Sequence, residues 1–192
     1  MQNMFVRIFV FALLVNNISY SQVTEQWVQR FTSDSIRNES VNDMFIDAEG
    51  NVYVTGSQRQ TGLNLDIQAV TVKYNSQGVQ QWIQNYVAEN NNGAFARAIY
   101  VDAAGNVYVT GETAIYSGGG NDMLVIKYSP NGTQLWSYVF EYSGAYNGGY
   151  DIVTDLTGNV YVVGEYATNV ITYNNISLVK FSPEGTLLNQ TF

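Results

Sequence analysis

Two carboxylates and a serine directly follow a glycine that recurs along the sequence. Glu112 and Glu165 come after this glycine in two copies of a repeated phrase, and Ser57 takes the same place in the first copy. Two carboxyl groups can work as general acid and base when their surroundings separate their pKa values. The chain has no histidine and no cysteine, which removes the commonest general base, the commonest metal ligand and any thiol nucleophile. We therefore predict no catalytic residue, no metal site and no cofactor.

The repeated phrase sets the positions of these residues. It reads DAEGNVYVTG at Asp47–Gly56, DAAGNVYVTG at Asp102–Gly111 and DLTGNVYVVG at Asp155–Gly164, with spacings of 55 and 53 residues. A fixed period of this length is typical of repeat architectures. Other residues recur with it: a lysine before an aromatic residue (Lys73, Lys127, Lys180), a turn glycine (Gly78, Gly132, Gly185) and a tryptophan (Trp82, Trp136). Asn189 replaces the tryptophan in the third copy, and Trp27 lies one spacing before Trp82, ahead of the first copy.

Each unit is predicted to contain four strands. In the second copy they are Ala96–Val101, Val107–Thr110, Met123–Tyr128 and Gln134–Phe140, rich in β-branched and aromatic residues. Asp, Asn and Gly between the first two strands, and a Ser-Pro-Asn-Gly sequence between the last two, favour tight turns. Successive hairpin links of this kind predict a four-stranded antiparallel meander.

The middle strands are apolar on both faces, so each sheet must be covered on both sides. Four-stranded sheets repeated around an axis form a β-propeller, whereas the coils of a linear β-solenoid, the competing architecture, are much shorter than this period. We predict an all-β chain with three four-stranded antiparallel blades, in units of about 33–86, 87–140 and 141–192, as a partial or open propeller. A leading strand around Gln26–Phe31 precedes them.

The pattern resembles the SBBP (β-propeller) repeat family of exported bacterial proteins. The resemblance rests on D-x-x-G-N-V-Y-V-[TV]-G, the Lys-aromatic pairs in VKY, IKY and VKF, and G-x-x-x-W, and it covers essentially all of residues 22–192. The resemblance implies a propeller, usually of more blades than three, and no shared catalytic residues. The third unit departs from the family pattern because it lacks its tryptophan, and the Asp that usually opens the third strand is present only as Asp122.

The N-terminus is predicted to be a secretory signal peptide over residues 1–21. Arg7 precedes the apolar run Ile8–Val15, and Ser19-Tyr20-Ser21 supplies small residues before Gln22. Removing this segment changes the net charge from −8 to −9, because it contains one basic and no acidic residue. An acidic exterior argues against nucleic-acid binding, and no later segment is long enough to span a membrane. We expect a secreted or cell-surface protein.

Most of the recurring polar residues have a structural interpretation. Asp47, Asp102 and Asp155 could be calcium ligands, but a hairpin turn explains them with fewer assumptions. The tryptophans could stack on sugars, but their fixed strand position favours packing between blades. The lysines are predicted to reach solvent or pair with a carboxylate from inside apolar strands. Gly118–Gly120 lacks the Gly-Lys-Ser/Thr ending of a phosphate loop, which favours a flexible blade loop.

The leading functional hypothesis is a non-enzymatic binding or scaffold module for a protein or glycan ligand at the cell exterior. Its recognition surface is predicted in the variable loops Ser57–Asp66, Glu112–Asp122 and Glu165–Asn175. The alternative is part of a secreted hydrolase or lyase of polysaccharides that depends on Glu112 and Glu165, and a third hypothesis is a purely structural spacer. Three blades are fewer than the roughly four to eight of known propellers. We therefore expect the chain to be a fragment of a longer propeller. The alternatives are that several copies assemble, or that the blades form an open arc whose apolar end faces are prone to self-association.

Overall fold

The computed structural model describes residues 26–30, 36–60, 67–89, 93–115, 120–140, 147–167 and 175–191. Within these ranges the regular structure consists of strands, which we number in chain order: β1 (Ile36–Ile46), β2 (Val52–Gln60), β3 (Ile67–Tyr74), β4 (Gln80–Tyr86), β5 (Gly93–Val101), β6 (Val107–Ile115), β7 (Gly120–Tyr128), β8 (Gln134–Phe140), β9 (Asn147–Thr154), β10 (Val160–Tyr166), β11 (Asn175–Phe181) and β12 (Leu187–Thr191). The predicted signal peptide, residues 1–21, lies outside the described residues.

The strands form three four-stranded antiparallel sheets, and in each sheet the spatial order follows the chain order. The sheets are β1–β4, β5–β8 and β9–β12. The first strand of each following sheet packs across the sheet before it: β5 contacts β1, β2 and β3, and β9 contacts β5, β6 and β7, while β4 and β8 have no comparable strand contact with another sheet in the described part of the chain. The predicted fold class is confirmed: the chain is all-β, with blade-like sheets that do not close into a ring.

The repeated phrase builds the turn between the first two strands of each sheet. In the second sheet, Asp102 Oδ1 accepts hydrogen bonds from the backbone N–H groups of Ala104 and Asn106, each at 2.9 Å. Its Oδ2 accepts from the Asn106 side chain at 2.8 Å and from the Tyr108 hydroxyl at 3.0 Å. Gly105 has a φ of 81°, a conformation that glycine adopts without strain. The Asp, Gly, Asn and Tyr of the phrase are therefore parts of one hydrogen-bonded turn.

The same network forms around Asp47 and Asp155. Both carboxylate oxygens of each aspartate are occupied by donors of its own turn, which supports the hairpin interpretation over a calcium loop. No group of three or more acidic, histidine or cysteine side chains that could hold a metal ion was found among the described residues.

The two faces of the middle sheet contribute to two different cores. Val107 and Val109 pack toward the first sheet, in a core that contains Tyr53. Tyr108 packs toward the third sheet, in a core that contains Val160 and Phe181. Side chains alternate between the faces of a strand, and here both alternating sets are apolar and covered, as the sequence predicted.

The tryptophans and lysines hold one sheet to the next. Trp136 of the second sheet donates through Nε1 to the backbone oxygen of Pro183 in the third, at 3.0 Å. Lys127 Nζ donates to the same oxygen at 2.9 Å and lies 5.2 Å from the centroid of the Tyr108 ring. Trp82 makes the matching bond to Pro130 at 3.1 Å. These positions favour the packing role that the sequence predicts for the tryptophans.

The predicted leading strand is not a strand where the structure describes it. Residues 26–30 have no strand assignment. Trp27 nevertheless takes the position of a tryptophan from a preceding sheet, since its Nε1 donates to Ser76 at 3.2 Å and its ring lies 6.3 Å from that of Tyr74. The tryptophan contact is thus retained without the strand ladder that accompanies it in the other sheets.

Both outward faces of the stack are apolar. On the first sheet, Val70, Val72 and Tyr74 form a small cluster with a cavity of about 280 Å³ between it and Trp27. On the third sheet, Val163 is 39% exposed and its cross-strand partner Leu178 is 46% exposed. The outward face of the third sheet is therefore apolar and exposed as the sequence predicts, whereas Val70, Val72 and Tyr74 on the first sheet are buried. In the described part of the chain, no helix is long and apolar enough to cross a membrane.

Candidate functional site

Each sheet has a β-bulge at the same place in its first strand. The pairing of the first two strands skips one residue between Val41 and Asp43, one between Ala96 and Ala98, and one between Gly149 and Asp151. The skipped residues are Asn42, Arg97 and Tyr150, which keep the 55- and 53-residue spacing of the repeat. A bulge leaves the extra residue outside the ladder and re-aims its side chain, and bulges are frequent beside functional sites.

The glycine that ends the repeated phrase permits this bulge. A Cβ on Gly111 would lie 1.9 Å from the backbone oxygen of Phe95, and one on Gly56 or Gly164 would be as close to the equivalent oxygen. No side chain fits at that distance. The recurring glycine is therefore required by the close approach of the first strand, and the residue after it lies beside the bulge.

The bulge residues and the residues after the glycines form a row of polar side chains along the inner strands. Arg97 Nη2 and Glu112 Oε1 form a salt bridge of 2.8 Å. The Arg97 guanidinium lies over the ring of Tyr150 in the next sheet, 4.6 Å from its centroid. The Tyr150 hydroxyl donates to Glu165 Oε2 at 3.1 Å. One continuous set of contacts thus joins the second sheet to the third.

In the first sheet the same positions carry smaller, uncharged groups. Ser57 shares a 2.8 Å hydrogen bond with Ser40, and Asn42 donates to the backbone oxygen of Ala96 at 2.5 Å. The first unit therefore continues the row with hydroxyl and amide groups in place of charges.

The surroundings shift the pKa values of two members of the row. Burial would lower the pKa of Arg97, but the hydrogen bond and charge of Glu112 outweigh it, and the pKa lies above its ordinary value. Burial raises the pKa of Tyr150; the charge of Arg97 opposes this, and the hydrogen bond to Glu165 adds to it. At neutral pH the guanidinium is charged and the phenol is neutral, so the cluster contains one cation and two carboxyl groups.

Two cavities lie along this row. One, of about 270 Å³ between the second and third sheets, is lined by Asn147–Gly148, Asn121, Arg97, Glu112, Tyr150 and Glu165. The other, of about 480 Å³, extends to the first sheet and is lined by Ser40, Asn42, Ser57, Phe95, Arg97, Glu112 and Tyr150. Because the two cavities share Arg97, Glu112 and Tyr150, they form one concave surface. We call this surface the bulge trough and define it by the residues that line either cavity.

The trough also contains a polar side chain that is buried without partners. Asn147 is 3% exposed, and neither its amide oxygen nor its amide nitrogen has a hydrogen-bond partner among the described residues. Arg97 Nε is likewise buried and unpartnered. A buried polar group without a hydrogen bond costs about 1–3 kcal/mol, so these atoms require an explanation.

The structure brings together the carboxylates that the sequence singled out. Glu112 and Glu165 line the same cavity, and Ser57 lines its neighbour. The recurring aspartates, tryptophans and lysines lie elsewhere, in turns and between sheets. Sequence reasoning missed Asn42, Arg97, Tyr150 and Asn147. Asn42, Arg97 and Tyr150 can be recognised in the sequence, because they recur at the repeat spacing while the residue type changes. The β-bulge that turns their side chains into the trough cannot be predicted from the alternation of side chains along a strand.

The predicted recognition loops are corrected at their edges. Pairing continues through Ser57 with Ala69, Glu112 with Met123 and Glu165 with Ile176, so the first residues of each loop belong to strands. Gly120, of the predicted flexible triplet, belongs to β7. The remainder of each loop, residues 61–66, 116–119 and 168–174, lies outside the described residues.

The fold and this trough define the chain as an all-β repeat protein with three propeller-type sheets and a polar concave surface along their inner strands. No protein-family model matches the sequence, and no curated protein matches it either.

Proposed function

We propose that this chain is a non-enzymatic binding module of the exported SBBP-repeat type, and that it binds a protein or glycan ligand in the bulge trough. One observation carries the proposal. The turns and cores of the three units repeat nearly the same residues, whereas the bulge position changes from Asn42 to Arg97 to Tyr150. A repeat that keeps its frame and varies one concave row has the organisation of a binding surface on a rigid scaffold.

The shape and chemistry of the trough support binding. It combines an exposed aromatic ring with amide groups, hydroxyls and charged side chains in a concave surface, and polar groups that converge in a cleft fix the orientation of ligands. The segments 61–66, 116–119 and 168–174, which belong to the predicted recognition loops, follow in sequence the strands that carry trough residues. The proposed recognition surface therefore comprises the trough and these loops.

The experiment exchanges trough residues between repeats. In R97N/E112S, the second unit carries the residue types that the first unit has at these positions, Asn42 and Ser57. The same bulge accommodates them in the first unit. Binding of the variant and the unmodified chain is compared on a glycan array and against a displayed peptide library, with the exposed turn substitution E184Q as control. We expect ligands that the unmodified chain and E184Q retain and R97N/E112S loses. Ligands retained equally by all three, or no ligand at all, would refute the proposal.

Export is part of the same proposal. The predicted signal peptide implies that the released chain begins at Gln22. N-terminal sequencing of protein recovered outside the producing bacterium tests this, and an intact Met1 on the recovered protein would contradict it.

A second candidate function is favoured by one observation, the presence of Glu112 and Glu165 in a single cavity. Two carboxyl groups there could hydrolyse or cleave a polysaccharide by acid–base chemistry. The test measures release of reducing ends from a polysaccharide panel by the unmodified chain and by E112Q/E165Q. Activity that the double substitution abolishes would favour an enzyme, and activity that survives it would exclude these residues.

A further inference from the structure

The cavity between the second and third sheets contains three buried polar atoms without partners among the described residues: both amide atoms of Asn147 and Nε of Arg97. The repeat itself does not require an asparagine here. The equivalent residues are Glu39 in the first unit and Ala94 in the second, and Ala94 is fully buried. Folding alone would therefore favour alanine at position 147, because a buried amide without partners is destabilising.

We propose that this cavity binds one neutral sugar unit of a glycan through its hydroxyl groups. The inference rests on the proposed function and specifies the ligand class of the same trough. Asn147 Nδ2 and Arg97 Nε are donors and need acceptors, while Asn147 Oδ1 needs a donor. A hydroxyl group both donates and accepts, so adjacent hydroxyls on one ring supply everything that these atoms lack.

The charges in the cavity discriminate against other ligands. Two carboxyl groups and one guanidinium line it, and the guanidinium is already paired with Glu112 at 2.8 Å. An anionic ligand meets an excess of like charge. An ammonium group has three donors and no acceptor, so it leaves Asn147 Nδ2 and Arg97 Nε unsatisfied. A neutral polyhydroxyl ligand avoids both penalties.

The remaining walls suit a sugar ring. Asn121 adds a second amide, and Tyr150, which is 42% exposed, presents an aromatic ring against which the C–H groups of a sugar can pack. The volume of about 270 Å³ is at the small end for ligand sites. It accommodates one ring of a chain whose neighbouring units extend along the trough.

Gly148 forms part of the floor. A Cβ added there would lie 3.1 Å from Glu112 Oε2, a flexible side-chain atom, with no backbone atom closer. An alanine at this position therefore narrows the cavity without disturbing the strands, which provides a second variant independent of hydrogen bonding.

The test uses calorimetric titration of the full exported chain with four defined hexasaccharides: mannohexaose and cellohexaose, which are neutral, hexagalacturonate as an anion, and a chitosan hexamer, protonated in mildly acidic buffer, as a cation. We expect a neutral hexasaccharide to bind, and each charged probe to bind more weakly than it or not at all. N147A and G148A should each weaken that binding about tenfold, the size of effect expected from losing a buried hydrogen-bond pair or closing the cavity. N189A, at an exposed asparagine of β12 that lies outside the trough and the predicted loops, is the control and should bind as the unmodified chain does.

Thermal unfolding gives a second readout. N147A should unfold at the same temperature as the unmodified chain or higher, because an unsatisfied amide is replaced by the residue that the second unit carries. At the same concentration of hexasaccharide, the stabilisation by the ligand should be smaller in N147A than in the unmodified chain. Preference for a charged probe, or neutral binding that N147A and G148A leave intact, would overturn the inference. If a peptide binds with sensitivity to R97N/E112S while no sugar binds, the sugar inference fails and the proposed function stands.

Discussion

The indole nitrogen of Trp136 donates a 3.0 Å hydrogen bond to the backbone oxygen of Pro183, 47 residues further along the chain. The ring also covers Gly185, where an added Cβ would lie 2.7 Å from the indole. One side chain of the second sheet thus fixes the last turn of the third. Trp82 and Trp27 make the same contact one and two units earlier. Sheets that share no backbone ladder are therefore linked at their turns.

Replacing Trp136 by alanine should destabilise the chain by about 3 kcal/mol, because it removes a partly buried aromatic ring and the hydrogen bond to Pro183. The measurement is the urea midpoint followed by circular dichroism. L135A, at the neighbouring residue, which is 52% exposed, is the control and should cost less than about 0.5 kcal/mol. Equal midpoints for the two variants would show that the tryptophan contact contributes little.

Substituting Gly111 by alanine should cost about 3 kcal/mol or more, because the new Cβ would overlap the backbone oxygen of Phe95 at 1.9 Å. The bulge at Arg97 would have to rearrange, so the amide NMR signals of β5 and β6 should shift together. G148A is the matched control, since its nearest neighbour is a side-chain atom at 3.1 Å. A G111A variant as stable as G148A would contradict the role assigned to the repeated glycine.

The frame of the molecule could be predicted from the sequence because local chemistry determines it. Asp102, Gly105 and Asn106 form their turn with each other, and the alternation of Val107 and Tyr108 assigns faces without knowledge of distant residues. The trough could be predicted only in part. Glu112 and Glu165 were identified by their place after the glycine, but Arg97 enters the site through a bulge, which depends on strand register.

Asn147, the residue with the unpartnered amide, could not be identified from the sequence either. Asn147 lies in a stretch without any motif, and its burial depends on how the third sheet packs against the second. Likewise, strand pairing beyond Glu112 depends on partners across the sheet, such as Met123, so the predicted loop began too early. Tertiary context, and not local preference, decides these features.

Stability should fall below about pH 4 through Asp155. Hydrogen bonds from the Asn159 and Thr157 side chains hold the pKa of this carboxyl far below its ordinary value of 3.8. A carboxyl whose folded-state pKa is depressed stabilises the fold fully above the unfolded-state pKa, and the stabilisation is lost as pH falls toward the folded-state pKa. Urea midpoints between pH 2.5 and 6 measure the dependence.

In D155N this acid-dependent loss should be smaller, and the variant should already be less stable at pH 6. E184Q, at an exposed carboxylate in a neighbouring turn of the same sheet, should keep the pH profile of the unmodified chain. If D155N and the unmodified chain lose stability in parallel on acidification, the turn carboxylate is not the group responsible.

The exposed apolar face of the third sheet predicts self-association of the chain. Val163 and Leu178 face each other across β10 and β11 and are 39% and 46% exposed, and Ile176 beside them is 79% exposed. The corresponding faces of the first two sheets are each covered by the sheet that follows, where Thr55 is 1% and Thr110 0% exposed. Contiguous exposed apolar residues of this kind mark contact surfaces. Light scattering coupled to size exclusion should show a mass that rises with concentration.

Introducing two lysines on this face distinguishes association through this face from nonspecific aggregation. V163K/L178K places charges on the exposed face of the third sheet, so the mass should fall to that of a single chain without loss of strand content. L156K is the control, because Leu156 is fully exposed in a turn away from that face and should leave the mass unchanged. A discrete dimer that the double substitution dissociates would mean that six sheets assemble from two chains. A single-chain mass at every concentration, for the unmodified protein as for the variants, would show that the end faces are tolerated in solution and that self-association plays no part.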